Sequence, residues 1–145
     1  MVPVSEHSTS SGLISGSDRA YVVGRIQPAL EEITISEFFA RTVFRYRDRE
    51  ACVFCQSGER WTWSQLSQKV DQLAAGLLAL GVYKGDRVGI WSPNKPEWVL
   101  AQFATARIGA ILVNINPAYR RAELKYALAK VSVKVLITAE SFKTS

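Results

Sequence analysis

Two cysteines lie three residues apart, at Cys52 and Cys55. This spacing suggests a redox disulfide or half of a zinc site. The pair falls in a run predicted as a strand, where positions i and i+3 face opposite sides. The sequence has no other cysteine and its one histidine is His7, so the four ligands of a structural zinc site cannot be assembled. We predict no metal site.

Two further patterns of catalytic chemistry are incomplete in this sequence. The run Lys84–Arg87 lacks the spaced glycines and the Lys-Ser/Thr ending that cradle phosphates, and it is typical of a turn before a strand. Ser64, Ser67 and Ser92 have no nearby histidine and no nucleophile-elbow glycines. We therefore predict no catalytic residue among the 145 residues.

Basic side chains gather at Arg120, Arg121 and Lys125, at the start of a predicted helix. Backbone N–H groups and the helix dipole favour an anion at such a position. Arg120 and Arg121 are therefore candidate phosphate contacts. The alternative interpretation is an exposed, charged first turn, which ordinary helices often carry on their solvent side.

The composition is that of a folded domain with a basic surface. Hydrophobic residues make up 48% of the chain and charged residues 21%, as in globular rather than disordered proteins. Residues 34–145 hold 16 basic and nine acidic side chains. Aromatic and basic positions do not interleave on one face, so we expect no nucleic-acid partner. The densest basic cluster, residues 41–49, also contains Asp48 and is typical of a solvated helix end.

The N-terminal segment differs in character from the rest of the chain. Residues 1–20 are rich in serine and predict a flexible tail, followed by an extended lead-in at 21–33. No run of apolar residues is long enough to predict a membrane span. The first residues have neither the basic start nor the hydrophobic run of a signal peptide. We predict a cytoplasmic protein, with a mitochondrial transit peptide as the alternative.

Local signals predict two helices and a hairpin in the first half of the folded part. Two pairs, Thr34 with Glu37 and Thr62 with Gln65, have the spacing of a capping box. The first precedes a helix predicted at 35–46, in which Phe38, Phe39, Val43 and Phe44 recur at helical intervals. The second precedes an apolar stripe that ends at Gly81: Leu66, Val70, Leu73, Leu77 and Leu80. Between them, β-prone runs at 51–55 and 60–63 predict a hairpin.

Strand and helix alternate in the second half. Strands are predicted at 87–91, 110–115 and 133–137, and helices at 97–108 and 121–131. Alternation of this kind requires right-handed crossovers and a largely parallel sheet with helices on both faces. The predicted fold class is α/β with an added β-hairpin. A sheet of so few strands leaves an edge unpaired, which would permit self-association.

Four stretches resemble, in the same order, the AMP-forming acyl-CoA synthetases of the adenylate-forming superfamily. They are Asp48–Ala51, Leu73–Gly81, Lys84–Asn94 with Glu97 and Trp98, and Gly109–Tyr119 with Glu123 and Leu124. A further piece, Tyr21–Gly24, resembles the fatty-acid branch that includes the medium-chain acyl-CoA synthetase family member 2. The resemblance covers about residues 20–145 and implies that residues 34–145 are part of the AMP-binding N-terminal domain.

The resemblance implies the N-terminal portion of a fatty-acid–CoA ligase, which converts fatty acid, ATP and CoA into acyl-CoA, AMP and pyrophosphate. In the family, ATP is held by a later Gly-rich loop ending in Pro-Lys-Gly, and adenylation uses a lysine of the C-terminal domain. No residue here matches either motif. ATP, CoA and Mg²⁺ are therefore expected for the complete enzyme, whereas this chain alone is expected to be inactive. The alternative is a stand-alone, non-catalytic binding module derived from such a ligase.

Overall fold

The computed structural model describes residues 27–140 of the chain. The predicted tail at 1–20 and the first part of the lead-in at 21–33 lie outside these residues. By its internal contacts the chain divides into two compact units, Met1–Glu32 and Ile33–Ser145. The fold described below is that of the larger unit, Ile33–Ser145. Its elements are α1 (Ile35–Tyr46), β1 (Glu50–Phe54), β2 (Glu59–Thr62), α2 (Trp63–Ala79), β3 (Arg87–Trp91), α3 (Pro96–Ile108), β4 (Ile111–Asn114), α4 (Arg121–Lys130) and β5 (Val133–Thr138).

Reciprocal side-chain caps begin the first two helices, as the sequence predicts. The Glu37 carboxylate accepts a hydrogen bond from the Thr34 N–H at 2.8 Å, and Thr34 Oγ1 accepts one from the Glu37 N–H at 3.1 Å. Thr62 and Gln65 make the same exchange at 2.9 and 3.2 Å. Each pair satisfies N–H groups that the helix leaves without a partner. Both predicted capping boxes are confirmed.

One face of α2 packs into the hydrophobic core. Leu66, Val70 and Leu77 are at most 2% exposed. Leu80, predicted to continue the same stripe, is 66% exposed, because it is the C-cap of α2 and lies beyond the last helical turn. Gly81 follows with a φ of 78°, a left-handed conformation that glycine adopts without strain, and it ends the helix as predicted.

The predicted parallel sheet forms in the order β4-β3-β5, which places β3 in its centre. Both neighbours run parallel to β3. The chain moves from β3 to its neighbour β4, and then crosses β3 to reach β5. Right-handed crossovers therefore place α3 and α4 on opposite faces of the sheet. The α/β fold with helices on both faces is confirmed.

The predicted hairpin is a separate two-stranded antiparallel sheet made by β1 and β2. Two of its residues were wrongly assigned. Trp63, predicted as strand, is the first residue of α2, because the Thr62 cap starts the helix there. Cys55, also predicted as strand, lies just beyond the end of β1.

The two faces of β3 are buried in different surroundings, because alternate residues of a strand point to opposite sides. Val88 and Ile90 are completely buried. Val88 belongs to a core that joins α1, β2, α2 and α3 and includes Phe39, Trp61 and Ala104. Gly89 faces the other side, where a Cβ atom would lie 3.1 Å from side-chain atoms of Ile115, Val133 and Leu136.

The helix α1 contributes only one fully buried residue to this core. Phe39 is 3% exposed and stacks on Phe103 with ring centroids 4.3 Å apart. Phe38 is 52% exposed and Phe44 is 91% exposed. The helical spacing of the apolar residues predicted the helix correctly, but two of the four residues that formed the pattern, Phe38 and Phe44, remain on the solvent side.

Ionic contacts fix β5 at the amino-terminal edge of the sheet. The Lys134 ammonium donates to the Asp86 carboxylate at 2.7 Å and to the Gly81 carbonyl at 2.6 Å. Arg87 Nε donates to the Val131 carbonyl at 2.8 Å, just before β5 begins. The Lys134 hydrogen bond, followed by that from the Tyr83 N–H, holds the pKa of Asp86 below its ordinary value.

We predict that Gly89→Leu lowers the free energy of unfolding by about 1 to 3 kcal/mol, because its Cβ would already lie 3.1 Å from side-chain atoms of Ile115, Val133 and Leu136, which must shift to admit a larger side chain. Urea denaturation followed by circular dichroism measures the change. Gly76→Ala in α2 is the matched control, since no atom lies within 4 Å of its added Cβ and alanine is the better helix former, so it should stabilise the fold by about 0.5 to 1 kcal/mol. Equal stability of Gly89→Leu and wild type would contradict the packing described.

We also predict that Asp86→Asn reduces the stability of the fold at neutral pH and has less effect in acid. A carboxyl whose pKa is lowered on folding stabilises the folded state above its unfolded pKa, and this contribution disappears as the pH falls through the folded pKa. Urea denaturation at a series of pH values measures the difference between variant and wild type. Glu59→Gln is the control, since no ion pair of Glu59 is found in residues 27–140. A difference that stays constant with pH would be the contrary result.

Candidate functional site

The carboxyl ends of the three parallel strands meet at one edge of the sheet, at Trp91, Asn114 and Thr138. In open parallel sheets, ligands bind in the crevice outside this edge, because the connecting loops present their side chains there. The loops that follow β3 and β4 are therefore the first place to look for a functional site.

The loop after β3 is held in place by Trp98. The Trp98 indole N–H donates to the Pro93 carbonyl at 3.0 Å and to the Ser92 carbonyl at 3.3 Å. Ser92 is itself buried, and its hydroxyl donates to the Pro93 carbonyl at 2.9 Å. This Ser92 environment is that of a structural turn. Pro96 then starts α3 at its first turn, where the missing N–H has no cost.

The loop after β4 is folded by Asn116 and is joined to β3 by a second tryptophan. Asn116 Oδ1 accepts from the Ala118 N–H at 2.9 Å, and its carbonyl accepts from the Tyr119 N–H at 3.0 Å. The Trp91 indole N–H donates to the same carbonyl at 3.2 Å. The carboxyl end of β3 is therefore hydrogen-bonded to the loop that follows β4.

Arg120 and Arg121 lie where the loop after β4 leads into α4. Arg120 is the N-cap of α4, and its N–H donates to the Glu123 carboxylate at 2.6 Å. Both arginine side chains are exposed. The first turn thus already holds one anion, the Glu123 carboxylate, while the two guanidinium groups face solvent beside it.

A groove of about 780 Å³ separates α4 from β4 on the Gly89 face of the sheet. Its wall is largely apolar and includes Val113, Ile115, Tyr119, Tyr126 and Val131. Of these, Tyr126 is 64% exposed, and α4 contains no buried residue. The helix therefore covers this face of the sheet only loosely.

The remaining candidates from the sequence have structural explanations. Cys52 and Cys55 are both free thiols, and burial raises the pKa of Cys52, which opposes thiolate formation. Within residues 27–140, no group of three or more His, Cys, Asp or Glu residues could hold a metal ion. The predicted turn at Lys84–Arg87 is confirmed, since the Asp86 N–H donates to the Tyr83 carbonyl at 3.0 Å and Gly85 has a positive φ.

The sequence assigns no structural role to three residues at the carboxyl edge, which enter it only within the stretches that carry the family resemblance: Trp91, Trp98 and Asn116. A signal for them exists, because a partly buried indole N–H nearly always finds an acceptor and asparagine after a strand commonly folds a turn. The Trp91 and Trp98 indoles donate to backbone carbonyls, whereas Asn116 Oδ1 accepts from the Ala118 N–H. The carbonyl that Trp91 reaches is 25 residues away, and no local pattern identifies it.

The profile of the family described as AMP-binding enzyme matches residues 39–145. Medium-chain acyl-CoA ligase ACSF2, mitochondrial, of Danio rerio is 47% identical over 125 residues, which are 86% of this chain and 21% of the relative. The protein of the same name in Homo sapiens is 45% identical over 86% of this chain and 20% of the relative. Acyl-CoA ligase SID4 of Ajellomyces capsulatus is 49% identical over 81% of this chain. The chain spans about a fifth of the length of these relatives.

Solved structures of similar fold include a fatty acyl CoA synthetase of Mycobacterium tuberculosis, with a TM-score of 0.70 and 28% identity over 72% of this chain and 21% of that one. The N-terminal domain of FACL13 from the same organism has a TM-score of 0.71 and 28% identity over 73% of this chain and 27% of that one. These matches place the α/β fold described above in the N-terminal domain of such proteins.

We predict that Trp98→Phe lowers the free energy of unfolding by about 1 to 2 kcal/mol, because the Ser92 carbonyl loses its indole donor in a partly buried loop and the Pro93 carbonyl keeps only the Ser92 hydroxyl. Amide hydrogen exchange should become faster in residues 92–95. Trp63→Phe is the matched control, because the Trp63 ring contacts Phe39 and this contact lies away from the loop. Unchanged exchange in 92–95 with Trp98→Phe would show that the indole does not hold the loop.

Proposed function

The chain belongs to the AMP-binding enzyme family, and on this premise we propose that it forms the N-terminal part of a fatty-acid–CoA ligase. The complete enzyme would convert fatty acid, ATP and CoA into acyl-CoA, AMP and pyrophosphate. The observation that carries the proposal is the 47% identity to a medium-chain acyl-CoA ligase over 86% of this chain. The similar fold of a fatty acyl CoA synthetase supports it independently of sequence identity.

Within that enzyme, the proposed role of these residues is to position residues of other segments. They would make few contacts to the substrates themselves. The hydrogen-bonded carboxyl edge supports this role, because Trp91 and Trp98 donate to loop carbonyls and the Asn116 side chain accepts from the backbone of its own loop. Transition-state stabilisation needs donors held in fixed positions. A rigid edge would hold such donors in place when they come from other parts of the enzyme.

ATP, CoA and Mg²⁺ are the proposed cofactors of the complete enzyme. For Mg²⁺, the carboxylate clusters of residues 27–140 do not fit, since no group of three ligands exists among them; other parts of the enzyme would hold the ion. For a nucleotide phosphate, Arg120 and Arg121 fit by charge and exposure. Because the Glu123 carboxylate already occupies the Arg120 N–H, their guanidinium groups would make the contact.

A mitochondrial location is proposed for the complete protein, since the relatives ACSF2 of Danio rerio and Homo sapiens carry that location in their names. The sequence alone predicted the cytoplasm. No helix within residues 27–140 is long and apolar enough to cross a membrane. Cell fractionation with matrix and cytosolic markers tests the location, and recovery with the cytosolic marker would favour the original prediction.

The alternative function is a stand-alone binding module without catalysis. Two observations favour it: the groove between α4 and β4, and the position of β4 and β5 as the outer strands of the sheet. Within the described residues each of these strands pairs on one side only, and such an edge can accept a strand of another chain or copy.

The ligase proposal predicts that residues 21–145 can replace the matching segment of the Danio rerio ligase. The chimera should catalyse fatty-acid-dependent exchange of pyrophosphate into ATP, whereas the 145-residue chain alone should give none above a buffer control. The physical reason is that the chimera rebuilds the complete domain around the sheet. The same chimera carrying Gly89→Leu is the control, because its sheet is distorted.

Two outcomes would contradict the proposal. One is a soluble, folded chimera that binds ATP but shows no exchange with any medium-chain fatty acid. The other is clear exchange by the chain alone, which would show that these residues form an active site by themselves.

The phosphate contact predicts that Arg120→Ala with Arg121→Ala in the chimera raises KM for ATP or CoA by roughly tenfold, the effect of losing about 1.4 kcal/mol of binding. Loss confined to binding leaves kcat unchanged. Lys69→Ala with Lys130→Ala is the control, since it removes the same charge away from the first turn of α4. Unaltered KM values for both substrates would assign Arg120 and Arg121 to an ordinary exposed first turn.

A further inference from the structure

A cleft of about 450 Å³ lies between α1 and α2, and its polar lining consists of hydrogen-bond donors. The polar residues that line it are Arg47, Ser64, Ser67, Gln68 and Arg107, and no acidic residue lines it. Its volume is that of a site for a small molecule. It is called the α1–α2 cleft below.

Three helices of the common core hold these groups in place. Arg47 is the C-cap of α1, and its carbonyl accepts from the Ser64 N–H at 3.0 Å. Ser64, Ser67 and Gln68 are three and four residues apart in α2, which places them on one side of that helix. Arg107 comes from the last turn of α3. The donors are therefore positioned by packed helices and not by a loop.

The Arg107 guanidinium is already fixed in one orientation. Its Nε and Nη2 atoms lie 2.9 and 2.8 Å from Oδ1 of Asp71, and Nη2 donates to Ser67 Oγ at 3.4 Å. The guanidinium carbon lies 5.7 Å from the centre of the Phe39 ring. Within residues 27–140 no acceptor is found for Nη1. Arg107 can therefore offer Nη1 to a ligand and lose little side-chain freedom in doing so.

The charge at the cleft favours an anion. Asp71 compensates the charge of Arg107, whereas the exposed Arg47 side chain has no ion pair in the described part of the chain. Helix α2 begins beside the cleft and has no acid in its first turn, so its own side chains do not neutralise the positive end of its dipole. One arginine charge and one helix dipole thus remain for a ligand.

We infer that the α1–α2 cleft binds a small phosphate monoester that carries an aromatic group. The phosphate oxygens would accept from Arg47, from Nη1 of Arg107 and from the Ser64 hydroxyl, all of which are donors suited to an anion. The aromatic group would lie on the apolar part of the lining, which includes Val43 and Phe44. Phe44 is 91% exposed, so its ring can pair with another ring.

The α1–α2 cleft is separate from the phosphate contact proposed at Arg120 and Arg121. Helices α1, α2 and α3 pack on the face of the sheet that carries Val88, whereas Arg121 begins α4, which lies on the opposite face. The inference does not depend on ligase activity, and binding to the 145-residue chain alone tests it.

Titration of the full chain with phenyl phosphate, followed by ¹H–¹⁵N nuclear magnetic resonance, tests the inference. Amide signals of residues 64–68 and the Nε–H signal of Arg107 should shift and saturate. Inorganic phosphate should shift the same signals with lower affinity, because it lacks the ring, and phenol should shift none of them. Phe44→Ala should weaken binding of phenyl phosphate and leave that of inorganic phosphate unchanged.

Two charge variants at exposed positions measure the role of the cleft. Arg47→Gln should weaken binding of phenyl phosphate by about tenfold, the effect of losing one charge-assisted hydrogen bond. Gln68→Glu should weaken it at least as much, because it places a carboxylate in the cleft. Glutamate forms helices as well as glutamine does, so this variant should keep the dispersed spectrum of the folded chain.

The matched controls make the same charge changes outside the cleft. Gln102→Glu adds a carboxylate at an exposed position of α3, and Lys130→Gln removes a positive charge from α4; both should leave binding unchanged. Equal loss with these controls would overturn the inference, because net charge alone would then explain binding. Absence of saturable shifts in residues 64–68 would overturn it as well. So would shifts confined to the first turn of α4, because the phosphate would then bind there.

Discussion

The central strand β3 must be covered on both faces, and most of the structure follows from this requirement. On one face, Val88 and Ile90 are completely buried, and Val88 packs into the layer built from α1, α2, α3 and the hairpin. On the other face, Gly89 leaves space that Ile115, Val133 and Leu136 fill. Burial of a strand on both sides removes its backbone from water, so both neighbouring strands are needed to satisfy its N–H and C=O groups. Hydrogen bonds to β4 and β5 do so.

The fixed position of β3 determines where the amino-terminal and carboxyl edges of the sheet lie, and each of these edges has its own role. At the amino-terminal edge, Lys134, Asp86 and Arg87 join the start of β3 to β5 across 44 or more residues. At the carboxyl edge, Trp91 and Trp98 donate to backbone carbonyls of the loops that follow β3 and β4. In the AMP-binding enzyme family, such a carboxyl edge would support residues from other segments that carry out the nucleotide and acyl chemistry. The loosely covered groove beside α4 would be closed by such segments.

The parts of the fold that depend on residues close together in the sequence could be predicted from the sequence. Thr34 with Glu37 and Thr62 with Gln65 start helices because their partners are three residues away, and Gly81 and Gly109 end helices through their own backbone conformation. The parallel sheet followed from the alternation of elements. The strand order β4-β3-β5, the Trp91 bond to Asn116 and the exposure of Phe44 could not be predicted. Each depends on which distant surfaces meet, and a periodic pattern does not contain that information.

The central claim is that these residues supply the rigid sheet of a larger ligase. The most direct measurement is the mass of the native protein in an extract of its own cells, detected with an antibody raised against residues 34–140 and identified by mass spectrometry. The account predicts a polypeptide several times larger than the 16.1 kDa of this chain, containing a Gly-rich loop ending in Pro-Lys-Gly and catalysing acyl-CoA formation. A single species of 16.1 kDa would contradict the account and favour the stand-alone binding module.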